Sequence, residues 1–197
     1  MIVAETDRLI IRESSGRDFS RIYSMMLSES AEGNGPGNES GGSDNRRRTT
    51  AVRDRVSVDE DEELEKFLAY IHTVYSVFGF GLWTVCLKGD STADIFADAK
   101  DREAAVIGRC GLQPIADDNS PLGRIELGYL IDPAYRRKGY AYEACSAILD
   151  YAFRRLEIDE VSVEIEPSNT ASVRLARKLG FRYTEGNLWT SGNPVYR

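Results

Sequence analysis

The sequence predicts a mixed α/β fold, and three observations carry that prediction. Runs rich in β-branched and aromatic residues alternate along the chain with apolar residues spaced three and four apart. One run, 124–131, ends at Asp132-Pro133 and passes through a basic, glycine-bearing turn into a helical pattern, the strand-turn-helix order of an α/β unit. The chain has 197 residues, 42% of them apolar, enough for one domain to bury a core unaided.

Taken in order, Arg8-Leu9-Ile10-Ile11-Arg12 is the first strand. Ser15 with Asp18 three residues on resembles a capping box, opening a helix with Phe19, Ile22, Tyr23 and Met26 on one face. From 32 to 50 there is no apolar residue, and amphipathic patterns stand on either side. We read 32–58 as a mobile internal loop within a single 1–197 domain. The acidic run 59–63 suits a helix N-terminus, and Leu64, Phe67, Leu68, Ile71, Val74 or Tyr75, and Phe78 follow at helical spacing until Gly79. Residues 80–87 and 106–115 read as a hairpin split by a polar excursion, 88–102. After the strand 124–131, a helix places Ala141, Ala144, Cys145, Ile148, Ala152, Phe153 and Leu156 on its apolar face. Residues 161–165 alternate as a strand, 169–179 form a short helix stopped by Gly180, and 181–183 and 195–197 are closing strands joined by a loop at 187–194.

Acidic residues outnumber basic ones by 32 to 25, giving a net charge of -7, which argues against nucleic acid or an anionic membrane as partner. No apolar run approaches the ~20 residues that span a bilayer. The first residues lack the basic, apolar and small-residue succession of a secretory signal, and Cys86, Cys110 and Cys145 stand too far apart in sequence for a disulfide or metal framework. A reducing cytoplasm and no metal are the expectation.

The most informative stretch is Tyr129-Leu130-Ile131-Asp132-Pro133-Ala134-Tyr135-Arg136-Arg137-Lys138-Gly139-Tyr140-Ala141. Free N–H groups at a helix start carry partial positive charge, Gly139 and Ala141 permit close backbone approach, and three consecutive cations add attraction, so a phosphate fits. A solvated basic turn with glycine for geometry is the plain alternative. There is no G-x-x-x-x-G-K-[ST], and Gly79-Phe80-Gly81 lacks the third glycine of G-x-G-x-x-G.

Arg136-x-x-Gly139-x-Ala141 resembles the R/Q-x-x-G-x-G/A acyl-CoA pyrophosphate loop of the GNAT N-acetyltransferase superfamily. Thr6-Asp7-Arg8-Leu9-Ile10-Ile11-Arg12, Gly79-Phe80-Gly81-Leu82-Trp83, Ile107-Gly108-Arg109-Cys110-Gly111-Leu112, Leu127-Gly128-Tyr129 and Asn169-x-x-Ser172 ending in Lys178-Leu179-Gly180-Phe181 look like its ribosomal-protein N-acetyltransferase (RimJ/RimL-like) branch. The resemblance implies a central twisted mixed sheet flanked by helices, whose fourth and fifth strands, here 124–131 and 161–165, splay apart to admit acetyl-CoA as co-substrate. Main-chain groups of Tyr129, Leu130 and Ile131 would complete their hydrogen bonds with the ligand, and one amide would stabilise the thioester oxyanion. Arg136, Arg137, Lys138, Gly139, Tyr140 and Ala141 would hold the diphosphate.

Direct attack of an amine on a thioester needs a base for the amine and an acid for the departing thiolate. Glu126, at the acceptor end of the fourth strand, is the candidate base through a water; an exposed strand carboxylate is the bland alternative. Ser172 matches the family serine near the thioester sulfur and is the candidate acid, with a helix-surface hydroxyl as its alternative. Asn169 could cap that helix and contact CoA. His72 reads as a partly exposed helix residue, the cysteines as core filling, and Arg46-Arg47-Arg48 as a solubilising run. The acceptor is a primary amine, either a protein N-terminal amino group or a small molecule such as an amino acid, polyamine or antibiotic. A non-catalytic acyl-CoA-binding module is the third reading, and a homodimer is left open. Acceptor choice is expected from the segment between the first two helices and from 187–194, with the acidic run 59–63 drawing in a cation.

Overall fold

The computed structural model describes residues 1–33, 59–89, 104–117 and 120–193. The expected mobile loop at 32–58, with Arg46-Arg47-Arg48, falls almost wholly outside these residues, as do most of the 88–102 excursion and the closing strand at 195–197.

The elements are β1 (Ile2–Glu5), β2 (Leu9–Arg12), a 3₁₀ turn (Gly16–Asp18), α1 (Phe19–Gly33), α2 (Glu60–Phe78), β3 (Leu82–Leu87), β4 (Ala105–Asp117), β5 (Ser120–Ile131), a second 3₁₀ turn (Pro133–Tyr135), α3 (Tyr140–Arg154), β6 (Glu160–Glu164), α4 (Thr170–Lys178), β7 (Arg182–Glu185) and β8 (Leu188–Gly192). They build one mixed sheet in the order β1-β2-β3-β4-β5-β6-β8-β7. The expected hairpin is β3 on β4, Leu82 opposite Gly111 and Leu87 opposite Ala105.

Local chemistry sets the helix ends. Asp59 caps α2 by accepting from the amides of Asp61 and Glu62, and Gly79 closes it with φ +70°, a left-handed turn that suits glycine. Asp18 accepts from the Ser15 amide at 2.8 Å, as the capping pattern predicts, and also takes the forked Arg12 guanidinium at 2.7 and 2.8 Å. Burial pushes the Asp18 carboxyl up, but the Arg12 and Ser15 hydrogen bonds outweigh it and hold the pKa below its ordinary value.

Two layers follow from alternation in the strands. Leu9, Ile11, Val85, Cys110, Leu112 and Leu127 face α3, where small Ala144, Cys145 and Ala152 bring the helix close. Trp83 seats α3 edge-on through Tyr151, ring centroids 5.6 Å apart. The opposite layer joins α1 and α2 through Phe19, Ile22, Tyr23 and Phe67.

Two sequence expectations require correction. The segment 187–194, read as a loop between closing strands, contains β8, which pairs with β6 from Glu164–Leu188 to Glu160–Gly192 and with β7 on its other edge. Thr190, Ser191 and Gly192 hid a strand in which Trp189 and Ser191 point inward. β1, which the reading did not identify, pairs with β2 at the sheet edge, where exposed ends weaken the apolar signal. Cys110 and Cys145, distant in sequence, also meet in space, their sulfurs 3.7 Å apart between β4 and α3; all three cysteines are buried and free.

Candidate active site

Parallel β5 and β6 are paired only at Glu126 and Ser162, where the Ser162 hydroxyl donates to the Ile125 carbonyl at 3.0 Å. From 127 to 131, β5 keeps β4 on one edge and, among the described residues, has no strand on the other. The expected splay is therefore present. Main-chain groups of a central strand are costly when unpaired, so this gap suits a ligand carrying amides of its own.

Side chains alternate across β5. Tyr129 packs on the α3 side, and its hydroxyl reaches over the gap to donate to Ser172 Oγ on α4 at 2.8 Å. Burial pushes the Tyr129 phenol well up, more than the Ser172 hydrogen bond lowers it, so the pair keeps its protons at neutral pH. Asn169 caps α4, accepting from the Ser172 amide at 3.1 Å, which fixes Ser172 in the first turn. The sequence reading used only the main chain of Tyr129; its hydroxyl becomes legible once α4 is seen across the gap.

Glu126 points to the other face and is not the exposed carboxylate of the bland reading, being 2% exposed. Its Oε2 accepts no hydrogen bond, and Arg124 Nη2 stands 3.7 Å away, shared with Glu164 at 3.3 Å. Burial pushes the Glu126 carboxyl up to about 7; Arg124 opposes this and Glu164 adds to it. A carboxylate poised there exchanges protons readily at neutral pH.

Beyond β5 the basic turn is shaped by Arg137 at φ +64° and Gly139 at φ +86°, and no side chain caps the first turn of α3. Its N–H groups are thus free for an anion. Arg8 braces the turn from below: Nη1 donates to the Lys138 carbonyl at 3.0 Å, Nε to Glu143 at 2.7 Å, and the guanidinium lies 4.6 Å over the Tyr140 ring. Thr6 donates to the same Glu143 at 2.6 Å. The three cations differ in their commitments. Arg136 donates from Nε to the Ile131 carbonyl at 2.9 Å and pairs with Glu29 of α1, Lys138 donates to the Ala134 carbonyl at 3.1 Å, and Arg137 is exposed with no hydrogen bond or ion pair to the described residues. Leu130 and Ile131 are buried, while Tyr140 and Ala141 open α3 half-buried.

Residues 8–182 match the profile of the acetyltransferase (GNAT) domain. The chain belongs to the GNAT acetyltransferase family. The uncharacterized protein YkkB of Bacillus subtilis is 34% identical over 96 residues, 48% of this chain and 55% of YkkB, so the chain spans about half the length of that relative. Among solved structures, a GnaT-family acetyltransferase from Bordetella pertussis superposes with a TM-score of 0.67 at 21% identity, covering 96% of this chain and 98% of that one. RimL, a ribosomal L7/L12 α-N-protein acetyltransferase solved in complex with coenzyme A, superposes at 0.65 with 14% identity over 98% of each chain. At such identities the likeness concerns the GNAT fold alone.

The remaining candidates take structural positions in this GNAT chain. His72 is exposed on α2. The acidic run 59–63 is largely occupied: Asp59 caps the helix, while Lys66 pairs with Glu62 at 2.8 Å and Glu63 at 3.0 Å. Among the described residues no cluster could hold a metal ion, and no helix is long and apolar enough to cross a membrane.

Proposed function

We propose that this GNAT chain is an acetyl-CoA-dependent N-acetyltransferase acting on a primary amine. The observation that carries the proposal is the open edge of β5, flanked by Glu126 on one face and the Tyr129–Ser172 hydroxyl pair on the other. Acetyl-CoA supplies the activated acyl group. The amides of residues 129–131 hold its arm and polarise the thioester carbonyl, a contact worth about 3 kcal/mol in related chemistry. The turn 136–141 receives the diphosphate on main-chain N–H groups, with Arg137, which pairs with none of the described residues, adding its charge.

Glu126 takes the proton that the attacking ammonium must lose, directly or through a water. With a pKa near 7 it is both substantially ionised and able to return the proton to solvent. Ser172, polarised by the Tyr129 hydroxyl, protonates the departing thiolate and recovers its proton through Tyr129 or water. The acceptor is a protein N-terminal amino group or a small-molecule amine in a reducing cytoplasm, the setting in which acetyl-CoA is formed and used.

The test is incubation of the full chain with acetyl-CoA and a mixed panel of amines and N-terminally free peptides, reading thiol release and acetylated product together. Amine-dependent release supports the proposal. Tight CoA binding with no transfer to any amine would instead establish a non-catalytic CoA-binding module.

A further inference from the structure

The sheet face turned toward α1 and α2 holds a buried cation that the proton chemistry above does not use. Arg109 on β4 is 9% exposed, and its Nε and Nη2 are buried without a hydrogen-bond partner. No described carboxylate forms an ion pair with it. Asp18, whose charge acts on Arg109, is already held by the Arg12 fork. The Phe67 and Tyr70 rings of α2 lie 5.5 and 5.6 Å from its guanidinium carbon. Such cation–π contacts offset only part of the cost of burying an unpaired charge, and a guanidinium cannot shed its proton to escape that cost. Among the described residues the arrangement lacks an anion.

Alternation places Gln113 of β4 on the same face as Arg109, directly opposite Glu126 of β5. Gln113 Oε1 and Glu126 Oε2 are likewise buried and accept no hydrogen bond, although Glu126 Oε2 stands 3.7 Å from Arg124 Nη2. Tyr70 lies against the Arg109 end of this face, its hydroxyl accepting from the Leu82 amide at 2.9 Å. One row therefore runs from a carboxylate at the strand gap to a guanidinium four positions along β4, about 13 Å by strand rise and less between the converging side chains.

Resting on the N-acetyltransferase reading, we propose that this row is the acceptor site and that the acceptor is an amine also bearing a carboxylate. Its amino group meets Glu126, and its carboxylate completes Arg109. A polyamine or a neutral amine would leave the guanidinium buried and unpaired, and a site built around such a group discriminates strongly against ligands that cannot satisfy it.

The full chain is assayed with acetyl-CoA against ω-amino acids of graded length, each beside its carboxamide, and against N-terminally free peptides with Asp or Asn at the second position. The expected result is about tenfold or greater kcat/KM for the carboxylate member, in the free or the peptide series according to the natural source. In Arg109→Met the ratio falls to about one while acetyl-CoA affinity and melting temperature are retained, and Arg109→Lys keeps part of the preference. Equal rates on carboxylate and carboxamide overturn the proposal, as does an Arg109→Met enzyme that keeps the preference. So does a marked loss of melting temperature in both variants, the mark of a structural arginine. Absence of turnover on every amine refutes the transferase reading instead. The carboxylate site is then read from thermal shifts with the same compounds, and shifts that do not depend on Arg109 refute it.

Discussion

Glu126 shows how three charges set one proton affinity. Burial raises its carboxyl to about 7, Arg124 lowers it and Glu164 raises it. Below that pH the base is protonated, so kcat/KM should climb with pH through about 7. Arg124→Met removes a stabilising cation and should move this limb to higher pH, whereas Glu164→Gln removes a repelling anion and should move it lower. Glu126→Gln should abolish the limb and cut the rate about 10²-fold while acetyl-CoA affinity holds. pH–rate profiles of the four proteins check this; superimposable profiles would transfer the base role elsewhere. Ionisation of the amine adds a separate limb that these substitutions leave in place. The positions of Glu126 and Ser172 as candidates were legible in the sequence, Glu126 from its place at the start of the 124–131 strand and Ser172 from a family pattern. Arg124, Glu164 and the Tyr129 hydroxyl were not, since their roles depend on which strand and helix stand across the gap.

The basic turn 136–141 divides its duties among the elements that meet there. Arg8, arriving from the β1–β2 corner, fastens the turn to α3 through Lys138 and Glu143, while Arg136 is spent on Ile131 and on α1. Arg137 stands exposed and is not hydrogen-bonded or ion-paired to any of the described residues. Arg137→Ala should weaken acetyl-CoA binding about three- to tenfold, with a shallower dependence on salt and little change in melting temperature. Arg8→Ala should raise KM for acetyl-CoA and also lower the melting temperature, because it releases the turn. Titration calorimetry at two ionic strengths beside thermal melts separates them, and matching behaviour would refute the division. The turn itself was readable, since spacing of Arg136, Gly139 and Ala141 carries the chemistry. That two of its three cations are tied back to the protein was not readable, because Glu29 and the Ala134 and Ile131 carbonyls are brought up by the fold. The same limit hid β8: its alternation involves small polar residues, and only its pairing with β6 gives them an inner face.

For the molecule as a whole, stability and function oppose one another at Glu126. Its raised folded pKa means that the native state binds the extra proton between about pH 4.5 and 7, so stability falls as pH rises through that window. The fall is up to about 3 kcal/mol at about 1.4 kcal/mol per unit. Asp18 and Glu143 act in the opposite sense. Burial pushes both up, but hydrogen bonds from Arg12 and Ser15, and from Thr6 and Arg8, outweigh it and lower their folded pKa values. Their contribution is present above the unfolded carboxylate pKa and is lost on acidification. Stability should therefore peak between about pH 4.5 and 5, and Glu126→Gln should flatten the alkaline side of the peak. Urea unfolding across pH for the two proteins tests this; parallel curves would show that Glu126 is not held in a raised state.

Gross architecture was the most legible level, because strand and helix periods differ and the glycine turn fixes where one gives way to the other. The gap itself lies between β5 and β6, and its use by acetyl-CoA is the claim on which the rest depends. Hydrogen–deuterium exchange of the β5 amides, with and without acetyl-CoA, tests it most directly. Exchange across 127–131 and at the start of α3 should slow when acetyl-CoA is added. Unchanged exchange at saturating ligand, or protection confined to the opposite end of the sheet, would contradict the account.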